Sequence, residues 1–324
     1  MRLSLALALV ATPALAGVED VVEDHLLPGI ATFAQTTGAL SQAAESDCAA
    51  EALRPALSAA WDAWAPIADL RLGPTEPAAL TIAYWPDERG AGAKALRGLI
   101  GAEDPLGRDP VAFADVSAAA RGFPALDFLF GNADFSAYGP GSYTCALVQT
   151  VAADLAAQGK ALADAWPAEG EALATAGTEG NASYLSDEEA FRALYTQLLS
   201  GLEFTADTRL GRPLGEPDRP RPARAEAWRS GRPLANVLAS AEAAAHVAGL
   251  LADRSLPATE AALDQVRRAA AAIGDPSFQD IEDPTARLKL EILQQRVRAL
   301  LDAVEAEVGS PRGLQPGFNS RDGD

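Results

Sequence analysis

Apolar residues recur at three- and four-residue steps along most of the chain, which is the spacing of one face of an α-helix. The clearest case is the stretch from about residue 286 to 308, where six apolar residues form one stripe: Leu290, Leu293, Val297, Leu300, Val304 and Val308. Alternating strand patterns are almost absent. Because each apolar stripe must be buried against others, the sequence predicts an all-α protein built from helical bundles.

The same spacing predicts four more long helices, around residues 18–44, 53–64, 148–166 and 191–202, the last running on toward Leu210. Pro28 is expected to kink the first of them. Short helices are predicted at 91–100 and 123–130, inside a stretch rich in Gly and Pro. A second irregular segment, residues 167–186, separates two sets of helices. We therefore predict an N-terminal helical-bundle domain over 17–170 and a C-terminal one over 171–324.

The first sixteen residues have the layout of a secretory signal peptide. Arg2 precedes an apolar run, residues 3–10, and the small-residue triplet 14–16 follows. We predict cleavage after Ala16 and a location in the periplasm or cell envelope. The alternative is a buried N-terminal helix. No later run reaches the roughly 18 uninterrupted apolar residues that a membrane helix needs, so no membrane span is expected.

The charge of the chain excludes some classes of partner. Its 45 acidic and 26 basic residues give a net charge of −19, which repels nucleic acid and anionic lipid. One segment departs from this balance, with arginines at 212, 219, 221, 224, 229 and 232. The Arg212–Arg232 loop is interpreted either as an anion-binding or partner-docking element, or as a loop that neutralises the protein's own acidic surface.

Two cysteines, Cys48 and Cys145, are present. An even number in an exported chain favours a disulfide bond between them, and two buried free thiols are the alternative. A thiolate metal site is disfavoured because neither cysteine has the short ligand spacing of such a site.

The sequence lacks the motifs of the common kinds of catalytic site. His25 and His246 are the only histidines, and the chain has neither a His-Glu-x-x-His helix nor a Gly-x-Ser-x-Gly elbow. Carboxylates on facing helices remain able to bind hard cations such as iron, calcium or magnesium. Most are expected to be solvated, but Asp127 is flanked by apolar residues and Glu203 borders the stripe of its helix. In the absence of a ligand, His25 is interpreted as a histidine of the hydrophobic core, and Trp61 and Trp64 as residues that pack in the core.

Eight segments, in order, resemble the imelysin family, also described as insulin-cleaving membrane proteases and as iron-regulated envelope proteins. They are His25–Pro28, Trp61-x-x-Trp64 followed by Gly73-Pro74, Tyr84–Asp87, Gly122–Gly131, Tyr143-x-Cys145, Arg209–Leu214, Glu226–Gly231 and Gly317–Asp324. The resemblance implies two helical-bundle domains packed side by side, with a functional site in the groove between them. It also implies iron-linked roles, as in some members.

The chain departs from the family's hallmark motif, Gly-x-His-x-x-Glu. The matching run extends from Gly122 to Asp127, with Pro124 in place of the histidine and Asp127 in place of the glutamate. Pro124 cannot bind a metal or move a proton, whereas Asp127 keeps a carboxylate. Peptidase activity is therefore disfavoured.

These observations predict a non-catalytic, exported, imelysin-like envelope protein that binds a metal ion or small ligand between two helical domains, with a link to iron uptake. The predicted ligand-binding residues are His25, Trp64, Asp127, Glu203 and Arg229. Asp127 and His25 are the candidate metal ligands, and iron or another divalent cation is the candidate cofactor. Asp127 is expected to be buried and paired with Arg229, with a bound cation as the rival partner. The alternatives are a scaffold that docks an envelope protein through the Arg212–Arg232 loop, and a hydrolase of unknown mechanism.

Overall fold

The structure is a computed structural model that describes residues 14–132 and 135–314. Most of the predicted signal peptide and the motif at 317–324 lie outside the described residues. Within these ranges the chain is helical and has no β-strand, apart from an isolated bridge between Glu216 and Arg219. The prediction of an all-α fold is confirmed.

The α-helices in chain order are α1 (Ala14–Val21), α2 (Leu27–Ser46), α3 (Ala50–Trp64), α4 (Thr75–Ile82), α5 (Ala91–Ala102), α6 (Gly122–Gly131), α7 (Tyr143–Ala174), α8 (Asp187–Glu203), α9 (Gly211–Leu214), α10 (Pro233–Ala252), α11 (Pro257–Ala271) and α12 (Pro284–Val304). Short 3₁₀ or π-helical segments occupy Val22–Leu26, Pro105–Arg108, Ala112–Asp115, Ala118–Ala120, Phe204–Leu210, Pro222–Arg224, Trp228–Ser230, Glu305–Gly309 and Ser310–Arg312.

The first predicted helix is broken close to Pro28. A π-helical turn, Val22–Leu26, joins α1 to α2, and Pro28 lies in the first turn of α2. A proline removes a backbone donor from the helix interior, so the hydrogen-bond pattern changes where it enters. Residues 14–46 are therefore two helices joined by one irregular turn.

Helix α7 extends further than the sequence suggests. It continues through Pro167 to Ala174, so the irregular segment begins at 175 rather than 167. Trp166, Gly170 and Leu173 are buried on one face beyond or beside the proline, and this packing outweighs the lost hydrogen bond. The predicted boundary at 170/171 falls within the last turn of α7, and the division into two domains stays a prediction.

One continuous cluster of buried apolar side chains runs from Val18 to Val308. In the N-terminal half, α2 packs along α3 and α7. In the C-terminal half, α12 packs on α11, and α10 contacts α8 and α11. Helix α1 also contacts α10, so the first helix of the chain packs against the C-terminal half.

Helix α10 is long and apolar enough to cross a membrane by length and composition, with a mean hydropathy of 1.4 over its most apolar window, and it is the one such helix in the described ranges. Core helices pass the same test. It packs against α1, α8 and α11, and 39% of that window is buried inside the protein. Asn236, Glu242 and His246 interrupt its apolar run, and the sequence pattern predicted neither a helix nor a membrane span there.

The disulfide bond between Cys48 and Cys145 is present, with Cα atoms 5.4 Å apart. It joins the segment after α2 to the first turn of α7, as predicted. The Tyr138 hydroxyl donates a hydrogen bond of 2.9 Å to the Cys48 carbonyl. This end of the N-terminal bundle is therefore held by a covalent bond and a hydrogen bond.

Candidate functional site

A pocket of about 290 Å³ lies between α6, the N-terminal end of α5 and the Arg212–Arg232 loop. This volume is at the lower end of the range for small-molecule sites. Five aromatic residues contribute to its wall: Trp61, Tyr84, Trp85, Phe128 and Trp228. Pro124 and Asp127, from the altered hallmark motif, line the same pocket.

Gly122 positions α6 against α4. Its φ is +65°, and a Cβ at this position would lie 2.1 Å from the Ile82 carbonyl oxygen, so only glycine fits. The helix that starts here places Pro124, Asp127 and Phe128 on one face, because residues three and four apart are neighbours on a helix. That face borders the pocket.

Asp127 is buried and is held by the residue next to its expected partner. The Ser230 backbone N–H and Oγ both donate to Asp127 Oδ1, at 2.7 and 2.6 Å. Arg229 forms a longer ion pair, with Nη1 3.7 Å from Oδ2. Burial raises the pKa of Asp127 even though Ser230 and Arg229 both act to lower it. Ser230 belongs to the family-like segment 226–231, but its role as a donor was not predicted.

The turn that carries Arg229 approaches α6 closely. Trp228–Ser230 is a 3₁₀ turn between Ala227 and Gly231, both in the left-handed region. A Cβ on Gly131 would lie 2.3 Å from the Arg229 Cβ. The Arg229 guanidinium lies 4.4 Å from the centre of the Trp228 ring. Glycine at the end of α6 therefore allows the turn to cover one side of the pocket.

Every carboxylate in the pocket wall is bound by groups of the protein itself. Asp87 accepts hydrogen bonds from the Ala91 and Gly92 backbone N–H groups, at 2.9 and 2.8 Å. Glu88 pairs with Arg212 at 2.9 Å. The remaining two are Asp127, bound as above, and Glu226, bound to a cluster behind the wall.

That cluster is centred on Arg209, which is buried. Its guanidinium donates to both oxygens of Asp69, at 2.8 and 3.0 Å, and to Glu226 at 3.1 Å. Burial alone would lower the pKa of Arg209, but Asp69 and Glu226 together raise it above its ordinary value. Ser240 donates to Asp69 and Asn236 to Glu226. Arg209 and Glu226 both lie in family-like segments, but their contact with each other was not predicted.

One buried hydrogen-bond donor and one cation in the pocket wall have no partner among the described residues. The indole Nε1 of Trp61 is buried without an acceptor, and the Trp61 ring stacks on Phe123 with centroids 4.1 Å apart. Arg224 is exposed, and no acceptor within the described ranges binds its guanidinium. The wall thus contains one buried indole donor and one cation without a partner among the described residues.

Of the five predicted site residues, only Asp127 and Arg229 line this pocket. Trp64 is buried in the core against Phe33, with ring centroids 5.0 Å apart. Glu203 ends α8 near Glu305, whose pKa is raised by burial and by neighbouring acidic charges. The predicted lining is therefore spread over several parts of the fold.

His25 lies at a separate place, against the segment that follows α3. Its Nε2 is 3.1 Å from the Pro66 carbonyl oxygen, and its ring centroid is 5.5 Å from that of His246. Burial, with a smaller contribution from His246, lowers the pKa of His25 to about 4. The two histidines of the chain are therefore neighbours, one buried and one exposed.

The residues around Asp127 do not fit a metal ion. Among the described residues no group of three or more His, Cys, Asp or Glu side chains is placed to hold one. Pro124 offers no ligand atom where the family motif has histidine. Asp127 Oδ1 already accepts two hydrogen bonds, and Arg229 faces Oδ2.

Three arginines of the Arg212–Arg232 loop bind acidic residues of the protein. Arg212 pairs with Glu88, Arg229 with Asp127, and Arg232 with Asp62 at 2.5 Å. Arg224 lines the pocket. The loop thus forms part of the pocket wall. Its ion pairs are of the kind expected if the loop neutralises acidic groups of the protein itself.

The described part of the chain is all-helical, and its pocket is lined in part by Pro124 and Asp127 of a Gly-x-Pro-x-x-Asp variant of the hallmark motif. The sequence model described as Imelysin, peptidase M75, matches residues 26–304, and the chain belongs to the imelysin family.

Two crystal structures share its fold. An imelysin-like protein from Psychrobacter arcticum 273-4 is 18% identical, with 96% of this chain and 100% of that chain covered and a TM-score of 0.76. A protein from Parabacteroides distasonis ATCC 8503, described as an iron-regulated protein A precursor, is 14% identical, with 93% and 97% covered and a TM-score of 0.70. No curated protein matches the sequence significantly.

Proposed function

We propose that this imelysin-family protein is an exported envelope protein that binds a small organic ligand in the pocket beside Asp127 and does not catalyse its hydrolysis. One observation carries the proposal. Three family-like segments far apart in sequence, 84–87, 122–131 and 226–231, meet in the wall of this pocket. Ligand sites are concave, partly apolar and provided with a few fixed polar groups, as this one is.

The chemistry of the motif supports a non-catalytic role. The side chain of Pro124 has no atom that can bind a metal or move a proton. Asp127 is fixed by Ser230, so its Oδ1 is not free to act as a general base. The same contacts favour an organic ligand over a metal ion, because the wall carboxylates are already bound within the protein.

Two other observations support export of the protein and a role linked to iron. The signal-peptide pattern ends at Ala16, and the packed part of the chain begins directly afterwards, with Gly17 and Val18 buried. This register supports cleavage after Ala16 and a periplasmic or envelope location. A fold neighbour described as iron-regulated supports placing the protein in an iron-linked role, where its ligand would be handled during iron uptake.

Thermal denaturation in the presence of a library of small metabolites and of single metal ions tests the binding function. A ligand present at 100 times its Kd stabilises the folded state by about 2.7 kcal/mol. Ala223→Trp fills the pocket from an exposed position in its wall and should abolish the shift. Ala261→Trp, exposed on α11 outside the pocket, is the matched control and should keep it. Equal shifts in both variants, or stabilisation by metal ions alone, would contradict the proposal.

Fractionation and N-terminal sequencing test the location. We expect the protein in the periplasmic or envelope fraction with Gly17 as its first residue. Retention in the cytoplasm with residues 1–16 intact would rule out export.

A further inference from the structure

We infer that the pocket takes a small aromatic acid, a planar ring system that carries one carboxylate. This inference rests on the proposed function and specifies the ligand class of the same site. It depends on three properties of the wall: its aromatic rings, its one unpaired cation and its one unpaired buried donor.

The aromatic content of the wall favours a planar ligand. The chain has five tryptophans, and three of them, Trp61, Trp85 and Trp228, line this pocket with Tyr84 and Phe128. Tryptophan is scarce in the sequence, so its concentration here is a property of the site. Aromatic side chains bind other rings in offset-stacked or edge-to-face geometry. At about 290 Å³ the pocket holds a compound of one or two rings rather than a polymer segment.

The charges of the wall favour an anion. Arg212 is paired with Glu88, Arg229 with Asp127, and Glu226 with Arg209. Both oxygens of Asp87 are occupied by backbone N–H groups. Arg224 is the lining cation that remains without an acceptor among the described residues. A guanidinium binds a carboxylate through two parallel hydrogen bonds, so one carboxylate on the ligand completes the charge balance of the wall.

The indole of Trp61 calls for an acceptor. It is 2% exposed, and its Nε1 donor has no acceptor among the described residues. Buried indole N–H groups usually bind an acceptor, because leaving a buried donor unpaired costs free energy. Trp61 lines the pocket through other atoms of its ring, and its Nε1 is shielded from the pocket, so an oxygen of the bound acid would reach this donor once the side chains beside it move aside on binding. The stacking of its ring on Phe123 fixes the indole before the ligand arrives.

Three probes that share one ring system test the class: 1-naphthoate, 1-naphthamide and 1-naphthylmethylamine. Cyclohexanecarboxylate tests the need for a planar ring. Binding to the full mature chain is measured by isothermal titration calorimetry and by tryptophan fluorescence. We expect 1-naphthoate to bind at least about tenfold more tightly than the other three, the effect of a charge-assisted hydrogen bond.

Two variants locate the contacts. Arg224→Gln should weaken 1-naphthoate by about tenfold or more and leave 1-naphthamide unchanged, because only the acid carries charge. Arg219→Gln, in the same loop and exposed but outside the wall, is the matched control and should change neither. Trp61→Phe keeps a ring on Phe123 and removes the N–H, so it should weaken the acid and the amide but not the amine. Comparing probes on one variant cancels any effect on folding.

The possible outcomes separate the ligand class from the proposed function. If the amine or the amide binds as tightly as the acid, or if Arg219→Gln weakens the acid as much as Arg224→Gln does, the inference is wrong. If none of these probes binds, but another compound from the library stabilises the parent and does not stabilise Ala223→Trp, the ligand class is wrong and the proposed function stands. If no organic compound stabilises the protein, both fail together.

Discussion

Ser230 donates two hydrogen bonds to a single oxygen of Asp127, one from its backbone N–H and one from its hydroxyl. The two residues are 103 positions apart, and their contact attaches the Trp228–Ser230 turn to α6. Asp127 therefore serves first as an acceptor that closes one side of the pocket, and its charge is a secondary property. Burial raises its pKa, which means that the fold disfavours the ionised form.

Asparagine at position 127 tests this order of importance. Asp127→Asn keeps an oxygen acceptor for Ser230, so it should cost less than about 1 kcal/mol of the free energy of unfolding. Asp127→Ala leaves both Ser230 donors without an acceptor and should cost about 2 to 3 kcal/mol. Urea denaturation of the two variants measures the difference. Equal losses would show that the charge on Asp127, and its pair with Arg229, matter more than the hydrogen bonds.

His25 should make the protein less stable in acid. The pKa of His25 is lowered from 6.5 to about 4 in the folded state, so the unfolded chain binds a proton that the folded chain does not. The contribution of uncharged His25 to the free energy of unfolding is fully present above pH 6.5. It is lost as the pH falls toward 4, and the loss amounts to at most about 3 kcal/mol.

Denaturation of the parent, His25→Gln and His246→Gln between pH 7.5 and 4 checks this expectation. Other acidic groups titrate in the same range, so the difference between parent and His25→Gln isolates the histidine. That variant should have a flatter curve, while His246→Gln should keep most of the parent's slope. A His25→Gln curve parallel to that of the parent would contradict the assignment.

The disulfide bond should contribute substantially to stability. Cys48 and Cys145 are 97 residues apart, and a loop of this length corresponds to about 4.7 kcal/mol in the chain-entropy model, with measured values usually between about 2 and 5. The double variant Cys48→Ser/Cys145→Ser should lose this amount in urea denaturation. Alkylation of two thiols in the unreduced native protein would show that the bond does not form.

The sequence predicted what local periodicity determines. The helices α5, α6 and α12 begin and end within a few residues of their predicted positions, because each has a clear apolar stripe and glycine or proline near its ends. Helix α7 was predicted too short, since no local pattern indicates that packing of Trp166 and Leu173 would carry a helix through Pro167. The disulfide bond followed from counting cysteines.

The pocket was predicted only in part, for reasons of tertiary geometry. Trp61 and Trp64 are one turn apart on α3, and the docking of α6 decides that Trp61 lines the pocket while Trp64 packs on Phe33. Asp69 and Arg209 bind each other across 140 residues, and nothing in either local sequence indicates the pairing. Acceptors and donors that meet across such distances require the folded structure.

Substitution of Arg209 should lower the free energy of unfolding more than substitution of any other charged residue of the protein. Arg209→Ala leaves Asp69 and Glu226 without their cation in a buried setting and should cost about 3 to 5 kcal/mol. Arg209→Lys should also lose stability, because one ammonium cannot reproduce the fork that binds Asp69. The control is Arg298→Ala, which breaks an exposed pair with Asp207 and should cost less than about 1 kcal/mol. Similar losses for Arg209→Ala and Arg298→Ala in urea denaturation would contradict the role of the buried cluster.

Restoring the hallmark motif should create a metal site beside the pocket. Pro124 and Asp127 are one turn apart on the face of α6 that borders the pocket, so Pro124→His/Asp127→Glu places an imidazole beside a carboxylate. Imidazole nitrogen and carboxylate oxygen together bind divalent transition metals. We expect this double variant to retain zinc or iron(II) through equilibrium dialysis, measured by elemental analysis, while the parent retains neither. The variant Pro124→Ala/Asp127→Glu has the same carboxylate without the imidazole and should behave as the parent does. Metal retention by the parent equal to that of the histidine variant would show that Pro124 has not removed the binding function, and the proposal of an organic ligand would then lose its main chemical support.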